Sequence, residues 1–186
     1  MIDGSFRENV FGSHFFCEQD FPQDDFEVIW VEYYQVASPK IEPHANLEVV
    51  CLGNEPGSAY HSSYCFNEGI RRAKGEVIVI PDADQIVGPD FLMLVWESHQ
   101  RNERLVSYGY RYDEIEQEAL RDFSLPELEA KCVMKGPFNY GGCLTVRKKW
   151  LLEINGYEQH DYFSTGFHAN GLDVYTRFKS LGLDIQ

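Results

Sequence analysis

The chain has 186 residues, of which 44% are hydrophobic and 15% aromatic, and its 30 acidic and 16 basic side chains give a net charge of −14. This length and apolar content suit a single domain, residues 1–186, with a sizeable core, and they argue against disorder. The acidic field would repel nucleic acid and anionic membranes, so we expect no nucleic-acid partner. A small anionic substrate would bind only where a metal ion or local dipoles reverse the field.

The five cysteines are odd in number, scattered, and never spaced as Cys-x-x-Cys. This pattern indicates neither a zinc knuckle nor a disulfide framework, and it favours a reduced, cytoplasmic setting. No apolar run approaches the roughly 20 residues that a membrane-spanning helix needs, and the N-terminal segment lacks a signal-peptide core. We therefore expect no membrane span.

Segments typical of strands alternate with segments typical of helices along the chain. The apolar patterns predict strands over 26–34, 47–52, 76–80, 104–111 and 141–146, and helices over 58–74, 90–100 and 147–154, with an acidic, helix-prone stretch over 113–130. Strands separated by helices indicate an α/β fold with a Rossmann-like, mostly parallel sheet and helices on both faces. In such sheets ligands bind beyond the carboxyl ends of the strands.

The strand predicted over 76–80 (EVIVI) runs directly into Pro81 and then Asp82-Ala83-Asp84. Aspartate is depleted in strands and almost never fully buried, so the two carboxylates are expected just past the strand end. Divalent cations such as Mg²⁺ bind carboxylates together with substrate phosphates. Asp84 could then hold a metal while Asp82 holds a ribose or a metal-bound water. From the residues alone, a simple polar strand end is an equally weighted alternative.

The surrounding segment NEGIRRAKGEVIVIPDADQIVGPDFL, residues 67–92, resembles the core of family 2 glycosyltransferases of the GT-A fold. The shared order is an Asn-x-Gly helix, a Gly-Glu turn, an apolar strand, a DxD motif and a Pro-x-x-Leu helix. Upstream, residues 20–32 are similar to the segment that enters the family's second strand. Downstream, residues 139–159 are similar to the family's acceptor-side segment. The resemblance therefore spans about residues 6–186.

The resemblance implies a GT-A domain with a nucleotide-sugar half over about 1–100 and an acceptor half over about 101–186. It implies inverting transfer of a sugar from a nucleotide sugar, with a UDP-sugar expected, to a glycan or other hydroxyl acceptor, as in polysaccharide biosynthesis. Mn²⁺ or Mg²⁺ would be the cofactor, with Asp84 as its ligand. The implied donor-binding residues are Glu32, Asn67, Asp82 and Asp84, and the implied acceptor-binding residues are Gly141, Gly142 and Asn170.

The sequence departs from the family where the catalytic base is expected. Relatives carry a Gly-Trp-Gly-x-Glu-Asp segment whose second carboxylate takes the acceptor proton, whereas Asn170 and Gly171 stand at these two positions. Neither residue is a useful proton acceptor. Asp173 is the nearest carboxylate and is our hypothesis for the base. The alternative is that Asp173 only interacts favourably with the helix dipole.

A second departure concerns the N-terminal segment, MIDGSFRENVFGSHFF. The family begins with an apolar strand that ends in a Pro-x-x-Asn-like turn, and we expect no such strand here before the first helix. Either the sequence is a fragment or the sheet has lost one wall of the donor pocket. Phe66 also replaces the arginine that often precedes the Asn-x-Gly motif.

Two alternatives to an active transferase remain. A truncated or degenerate relative would bind a nucleotide, a sugar or a partner protein without turnover, and the Asn170-Gly171 pair favours it. A phosphatase of the haloacid dehalogenase class also places Asp-x-Asp after a strand. That class, however, has Thr or Val two residues after the second aspartate, where this chain has Ile86.

Overall fold

The computed structural model describes residues 2–3, 10–37, 40–114, 124–136, 142–163 and 169–186. Strands and helices alternate through these ranges, as the sequence patterns predict. In chain order they are β1 (Ile2–Asp3), α1 (Phe11–Cys17), β2 (Val28–Tyr34), β3 (Leu47–Asn54), α2 (Ser62–Arg72), β4 (Val77–Ile80), α3 (Phe91–Arg101), β5 (Leu105–Tyr108), β6 (Arg111–Glu114), α4 (Leu125–Lys131), β7 (Cys132–Gly136), β8 (Leu144–Arg147), α5 (Lys148–Glu153), α6 (Ala169–Ser180) and β9 (Asp184–Ile185).

The strands form three sheets among the described residues. β1, β2 and β3 pair in parallel in that order. The second sheet has the order β4-β8-β5-β9, in which β8 is antiparallel to both of its neighbours and β9 is parallel to β5. β6 and β7 form a separate antiparallel pair. The predicted α/β fold is confirmed, but the pairing is more mixed than a mostly parallel sheet.

The antiparallel strand β8 follows from the route of the chain. A parallel neighbour needs a crossover, usually a helix, whereas an antiparallel neighbour does not. Between β5 and β8 the chain runs through β6, α4 and β7, and it then returns beside β5 in the opposite direction. Sequence periodicity reports strands but not their direction, so it did not predict this reversal.

Strand β2 is covered on both faces, which explains its nearly continuous apolar sequence. Ile29, Val31 and Tyr33 pack into the main core with residues of α2 and β4. On the opposite face, Val28 and Trp30 pack with residues of α1 and with Ala83. One strand therefore separates the main core from a smaller cluster that supports the turn after β4.

Two predicted elements differ most from the structure, while the other bounds shift by up to four residues, as at α2, which is predicted over 58–74 and spans Ser62–Arg72. The strand predicted over 104–111 is two strands, β5 and β6, separated by Gly109 and Tyr110. The helix-prone stretch over 113–130 begins inside β6, and its helix, α4, starts only after Ser124. Ser124 and Glu127 form a reciprocal capping box there. Residues 115–123 lie outside the described residues.

A strand of two residues precedes the first helix, where the sequence predicts no apolar strand of the kind with which the family begins. Ile2 and Asp3 pair in parallel with Trp30 and Val31 of β2. A pairing of two residues is too short to produce an apolar pattern, so the sequence could not reveal it.

In the helices among the described residues, no segment is both long and apolar enough to cross a bilayer.

Candidate functional site

One edge of the second sheet brings several predicted site residues together. β4 and β5 run in the same direction on either side of β8, and Ile80, Leu144 and Tyr108 are in register at their ends. Asp82 follows the end of β4 and Gly142 precedes the start of β8. The segment leading to β6 follows the end of β5. Predicted donor and acceptor residues thus meet at the carboxyl edge, as expected for an α/β sheet.

The Asp82-Ala83-Asp84 turn is held by its backbone. The Asp82 N–H donates to Gln85 Oε1 at 3.1 Å, and the Gln85 N–H donates back to the Asp82 carbonyl at 3.2 Å. The N–H of Gly12, in the first turn of α1, donates to the Ala83 carbonyl at 2.8 Å. Ala83 is fully buried, while Asp82 is half-buried and Asp84 is exposed. A fixed backbone therefore presents both carboxylates beyond the strand end.

A cation at the start of β6 acts electrostatically on both aspartates. Arg111 begins β6, and its pKa is raised mainly by the hydrogen bond to Asp113 and further by the charges of Asp82 and Asp84. Its Nη2 donates to Asp113 Oδ2 at 2.6 Å. The two aspartates therefore share one electrostatic environment with a guanidinium. The sequence analysis missed Arg111, because an arginine at a strand end carries no motif.

The donor set at this turn fits a hard divalent cation. Asp82 and Asp84 both act electrostatically on Arg111, and carboxylate oxygens are ligands that Mg²⁺ and Mn²⁺ prefer. Asp84 is exposed and thus accessible to an ion and to substrate phosphates. The residue types at the turn are therefore compatible with the expected metal.

Glu32 lies on β2, on the face that carries Trp30. It is 4% exposed, and its Oε1 accepts a hydrogen bond from Trp30 Nε1 at 2.8 Å. Trp30 packs in the same cluster as Ala83. Glu32 is therefore a buried carboxylate beside the core that supports the aspartate turn. Its predicted contact with the nucleoside stays a prediction.

Asn67, on α2, holds the backbone of Tyr157 with its side-chain amide. Its Oδ1 accepts from the Tyr157 N–H at 2.8 Å, and its Nδ2 donates to the Tyr157 carbonyl at 2.8 Å. The pKa of the Tyr157 phenol is raised, chiefly by burial, and the negative charge of Asp82 raises it further. Asn67 thus holds a residue whose ring lies within electrostatic range of the aspartate turn. Direct donor binding by Asn67 stays a prediction.

The candidate base, Asp173, is paired within helix α6. Its Oδ2 accepts from Arg177 Nε at 2.9 Å and from Arg177 Nη2 as well. Arg177 also donates to the Ile154 carbonyl, at the end of α5. The pair therefore links α6 to the turn after α5. Catalysis by Asp173 stays a prediction.

Asn170 lies in the first turn of α6, where it is 6% exposed. Its Nδ2 donates to Ser62 Oγ at 2.9 Å, and this bond joins the first turns of α6 and α2. Gly142 is buried beside β8, at the carboxyl edge, whereas Gly141 lies outside the described residues. The predicted acceptor roles of Gly141, Gly142 and Asn170 stay predictions.

Cys143 follows Gly142 in an unusual backbone conformation, with φ of 40°. Burial raises the pKa of its thiol to about 12, and the charge of Asp82 acts in the same direction. Such a thiol is not a nucleophile near neutral pH. Cys143 therefore contributes to the wall of this edge rather than to covalent chemistry.

The two hydrogen bonds between the Asn67 side chain and the Tyr157 backbone are called the Asn67 clamp below. Two cavities of about 400 and 420 Å³ lie near this clamp. Both are lined by Asn67, Arg71 and Gln159, and the first also by Tyr157 and Arg177. Neither cavity is lined by Asp82 or Asp84. They therefore flank helix α2 and are separate from the aspartate turn.

Comparison with known proteins gives a family match. Residues 62–154, half of the chain, match the sequence profile described as glycosyl transferase family 2. A comparison with curated protein sequences gave no match.

Solved structures share the fold. The mannosyltransferase PcManGT from Pyrobaculum calidifontis, in complex with GDP-Man and Mn²⁺, superposes with a TM-score of 0.65 at 16% identity, over 99% of this chain and 52% of that chain. TarS 1-349 of S. aureus in complex with UDP gives a TM-score of 0.63 at 14% identity, over 95% of this chain and 54% of that chain. At these identities the likeness shows the GT-A fold. This chain spans about half the length of these structures.

Proposed function

The chain belongs to glycosyl transferase family 2, and from this premise we propose that it transfers a sugar from a nucleotide sugar to an acceptor hydroxyl with inversion. The observation that carries the proposal is the sheet edge where the Asp82-Ala83-Asp84 turn, Arg111 and Gly142 meet. The acceptor is a glycan or another hydroxyl compound, as in polysaccharide biosynthesis. No disulfide joins the five cysteines in the structure, which supports the proposal of a reduced, cytoplasmic setting.

The aspartate turn is proposed as the donor site. Asp82 binds the ribose, and Asp84 binds a Mn²⁺ or Mg²⁺ ion that accompanies the diphosphate. When bound, the ion neutralises charge that develops on the departing nucleoside diphosphate. The structure of the similar mannosyltransferase PcManGT is a complex with GDP-Man and Mn²⁺. The structures of TarS 1-349 include complexes with UDP and with UDP-GlcNAc. Both UDP- and GDP-sugars are therefore the donors to test.

Three further residues have proposed roles at the donor. Arg111 pairs with a donor phosphate, and Asp113 orients the guanidinium through its hydrogen bonds. Glu32, held by Trp30, accepts a hydrogen bond from the nucleoside. Because the overall charge is −14, a local cation at this edge offsets the repulsion of an anionic donor.

A second candidate function is donor binding without turnover. Oδ2 of Asp173 already accepts two N–H groups of Arg177, so removal of the acceptor proton by this oxygen requires that the pair separates. The two positions of the family's usual carboxylates hold Asn170 and Gly171. If Asp173 stays paired, the chain binds a nucleotide sugar without an internal base.

Donor binding is tested by thermal shift with UDP, GDP, UDP-GlcNAc and GDP-mannose, each with and without Mn²⁺. Ligand at about 100 times its dissociation constant adds roughly 2.7 kcal/mol, or about 5 to 10 °C for a domain of this size. We expect a metal-dependent shift for one nucleotide. The shift should disappear in Asp84→Asn and persist in Asp24→Asn, an exposed aspartate in the turn before β2. No metal-dependent shift with any nucleotide would overturn the donor site.

Turnover separates the two candidate functions. Release of nucleoside diphosphate from the bound donor, measured with and without glycan acceptors, should occur in the wild type and fall at least 100-fold in Asp173→Asn if Asp173 is the base. Full activity in Asp173→Asn would remove Asp173 from this role. Saturable donor binding with no release in the wild type supports the second function.

A further inference from the structure

A group of possible metal ligands lies away from the aspartate turn. His14 is on helix α1, and Glu42 and His44 are in the segment that precedes β3. One ligand atom from each of the three side chains lies within 4.8 Å of the other two. His14 and Glu42 are exposed, and His44 is half-buried. Two imidazoles and a carboxylate are a common ligand set for Zn²⁺.

The His44 ring is held as a metal-binding histidine usually is. Its Nδ1 lies 3.2 Å from Glu18 Oε1, and its side chain is only 14% exposed. The other nitrogen, Nε2, is enclosed and has no hydrogen-bond partner among the described residues. With Nδ1–H donating to Glu18, Nε2 carries a lone pair. Leaving a buried acceptor unpaired costs free energy that a bound cation would offset.

We propose that His14, Glu42 and His44 bind one Zn²⁺ ion, with Glu18 as the residue that positions His44. Three protein ligands and a water complete a tetrahedral site. Zinc bonds of about 2.0 to 2.1 Å place neighbouring ligand atoms about 3.4 Å apart. The exposed His14 and Glu42 side chains can rotate to reach these distances when the ion binds. The Glu18–His44 bond is the outer contact that fixes the ring orientation.

The zinc site and the donor site differ in their preferred metal. Imidazole nitrogen favours Zn²⁺, whereas the two aspartates favour Mg²⁺ or Mn²⁺. The ion would join α1 to the segment before β3, and Gly12 of α1 contacts the aspartate turn through the Ala83 carbonyl. The proposed ion therefore connects these two segments and supports the helix that packs on the donor side.

The test is calorimetric titration of the chelator-stripped, tag-free chain with ZnCl₂. We expect one high-affinity Zn²⁺ site per chain in the wild type, in His160→Asn as the exposed-histidine control, and in Asp84→Asn. Affinity should fall at least 10-fold in His14→Asn and His44→Asn. Glu18→Gln should lower the affinity about 10-fold with the stoichiometry unchanged, which is typical when the outer partner of a metal ligand is removed.

Three results would overturn the proposal. They are the absence of stoichiometric zinc binding in the wild type, equal affinity in His14→Asn and His160→Asn, and loss of the site in Asp84→Asn. His14 is exposed, so His14→Asn keeps the test decisive even if the half-buried His44→Asn variant fails to fold. The donor proposal is tested by nucleotide shifts with Mn²⁺, so either proposal can fail without the other.

Discussion

The side chain of Asn67 holds the backbone of Tyr157 at both its N–H and its carbonyl, with two hydrogen bonds of 2.8 Å across 90 positions of sequence. Asn67 lies on α2 and Tyr157 follows the turn after α5. The Tyr157 ring is buried and packs on Phe66, with ring centroids 4.6 Å apart. One amide thus fixes two elements of the main core and a phenol that lies within electrostatic range of Asp82.

Replacing Asn67 by alanine should lower the free energy of unfolding by about 2 to 3 kcal/mol, because both backbone groups of Tyr157 lose their partner. Asn67→Asp is the matched variant. It keeps an acceptor for the Tyr157 N–H but sets a carboxylate oxygen against the Tyr157 carbonyl, so we expect a loss at least as large as in Asn67→Ala. Urea unfolding measures both. Equal stability of wild type and Asn67→Ala would show that the clamp is not stabilising.

Gly156→Ala should be strongly destabilising. Gly156 has φ of 68°, which L-residues rarely adopt, and a Cβ there would overlap Asn67 Oδ1. We expect a loss of about 2 to 4 kcal/mol, combining about 1 kcal/mol of backbone strain with the steric clash. Gly75→Ala is the control, because its added Cβ would meet its nearest atom at an ordinary 3.5 Å.

The two changes at this clamp should not be additive. Asn67→Ala removes the atom that the Cβ introduced by Gly156→Ala would overlap, so the double variant should be at least about 1 kcal/mol more stable than the sum of the single effects predicts. Additive effects would show that backbone strain alone, rather than the contact with Asn67, makes glycine necessary at this position.

Gly12→Ala should weaken nucleotide binding. A Cβ at Gly12 would lie 2.8 Å from the Ala83 carbonyl oxygen, and neither backbone segment can give way as a flexible side chain does. Helix α1 must then move away from the aspartate turn. We expect the dissociation constant for the Mn²⁺-nucleotide complex to rise about 10-fold, which is about 1.4 kcal/mol. Gly75→Ala should leave it unchanged. Unaltered affinity in Gly12→Ala would separate α1 from the donor site.

Much of the donor half could be predicted from the sequence, because its signals are local. An apolar strand followed by Asp82-Ala83-Asp84 is a pattern that depends only on neighbouring residues. Features that depend on distant pairs could not be predicted. The antiparallel insertion of β8, the clamp between Asn67 and Tyr157, and the approach of Arg111 to the aspartates all join segments that are far apart in sequence.

Arg111→Gln should separate the binding of metal from the binding of nucleotide. The guanidinium charge opposes a free cation beside Asp82 and Asp84 but attracts a diphosphate. We therefore expect Mn²⁺ alone to bind as tightly as in the wild type or more tightly. The nucleoside diphosphate should bind about 10-fold more weakly, with titration calorimetry as the measurement for both ligands. Arg101→Gln, at a surface ion pair with Glu97, is the control. Weaker binding of both ligands would contradict a phosphate role for Arg111.

His99 should make stability depend on pH in the acid range. It is fully buried beside Thr145, and burial, with a smaller effect from the charge of Arg147, lowers its pKa from 6.5 to about 4. Between these values the unfolded chain binds a proton that the folded chain does not. The free energy of unfolding therefore falls as pH drops from about 6.5 to about 4, by roughly 3 kcal/mol from this residue.

The contribution of His99 can be isolated from that of the carboxylates, which also titrate in acid. Urea unfolding at pH 7 and at pH 4.5 is compared for the wild type, His99→Gln and His160→Gln. The wild type and the exposed His160→Gln variant should lose more stability between the two pH values than His99→Gln, by about 2 kcal/mol. His99→Gln will itself be less stable at pH 7. The comparison therefore uses only the difference in the free energy of unfolding between pH 7 and pH 4.5 for each protein. An equal loss in all three proteins would mean that His99 takes up a proton in the folded state as readily as in the unfolded chain.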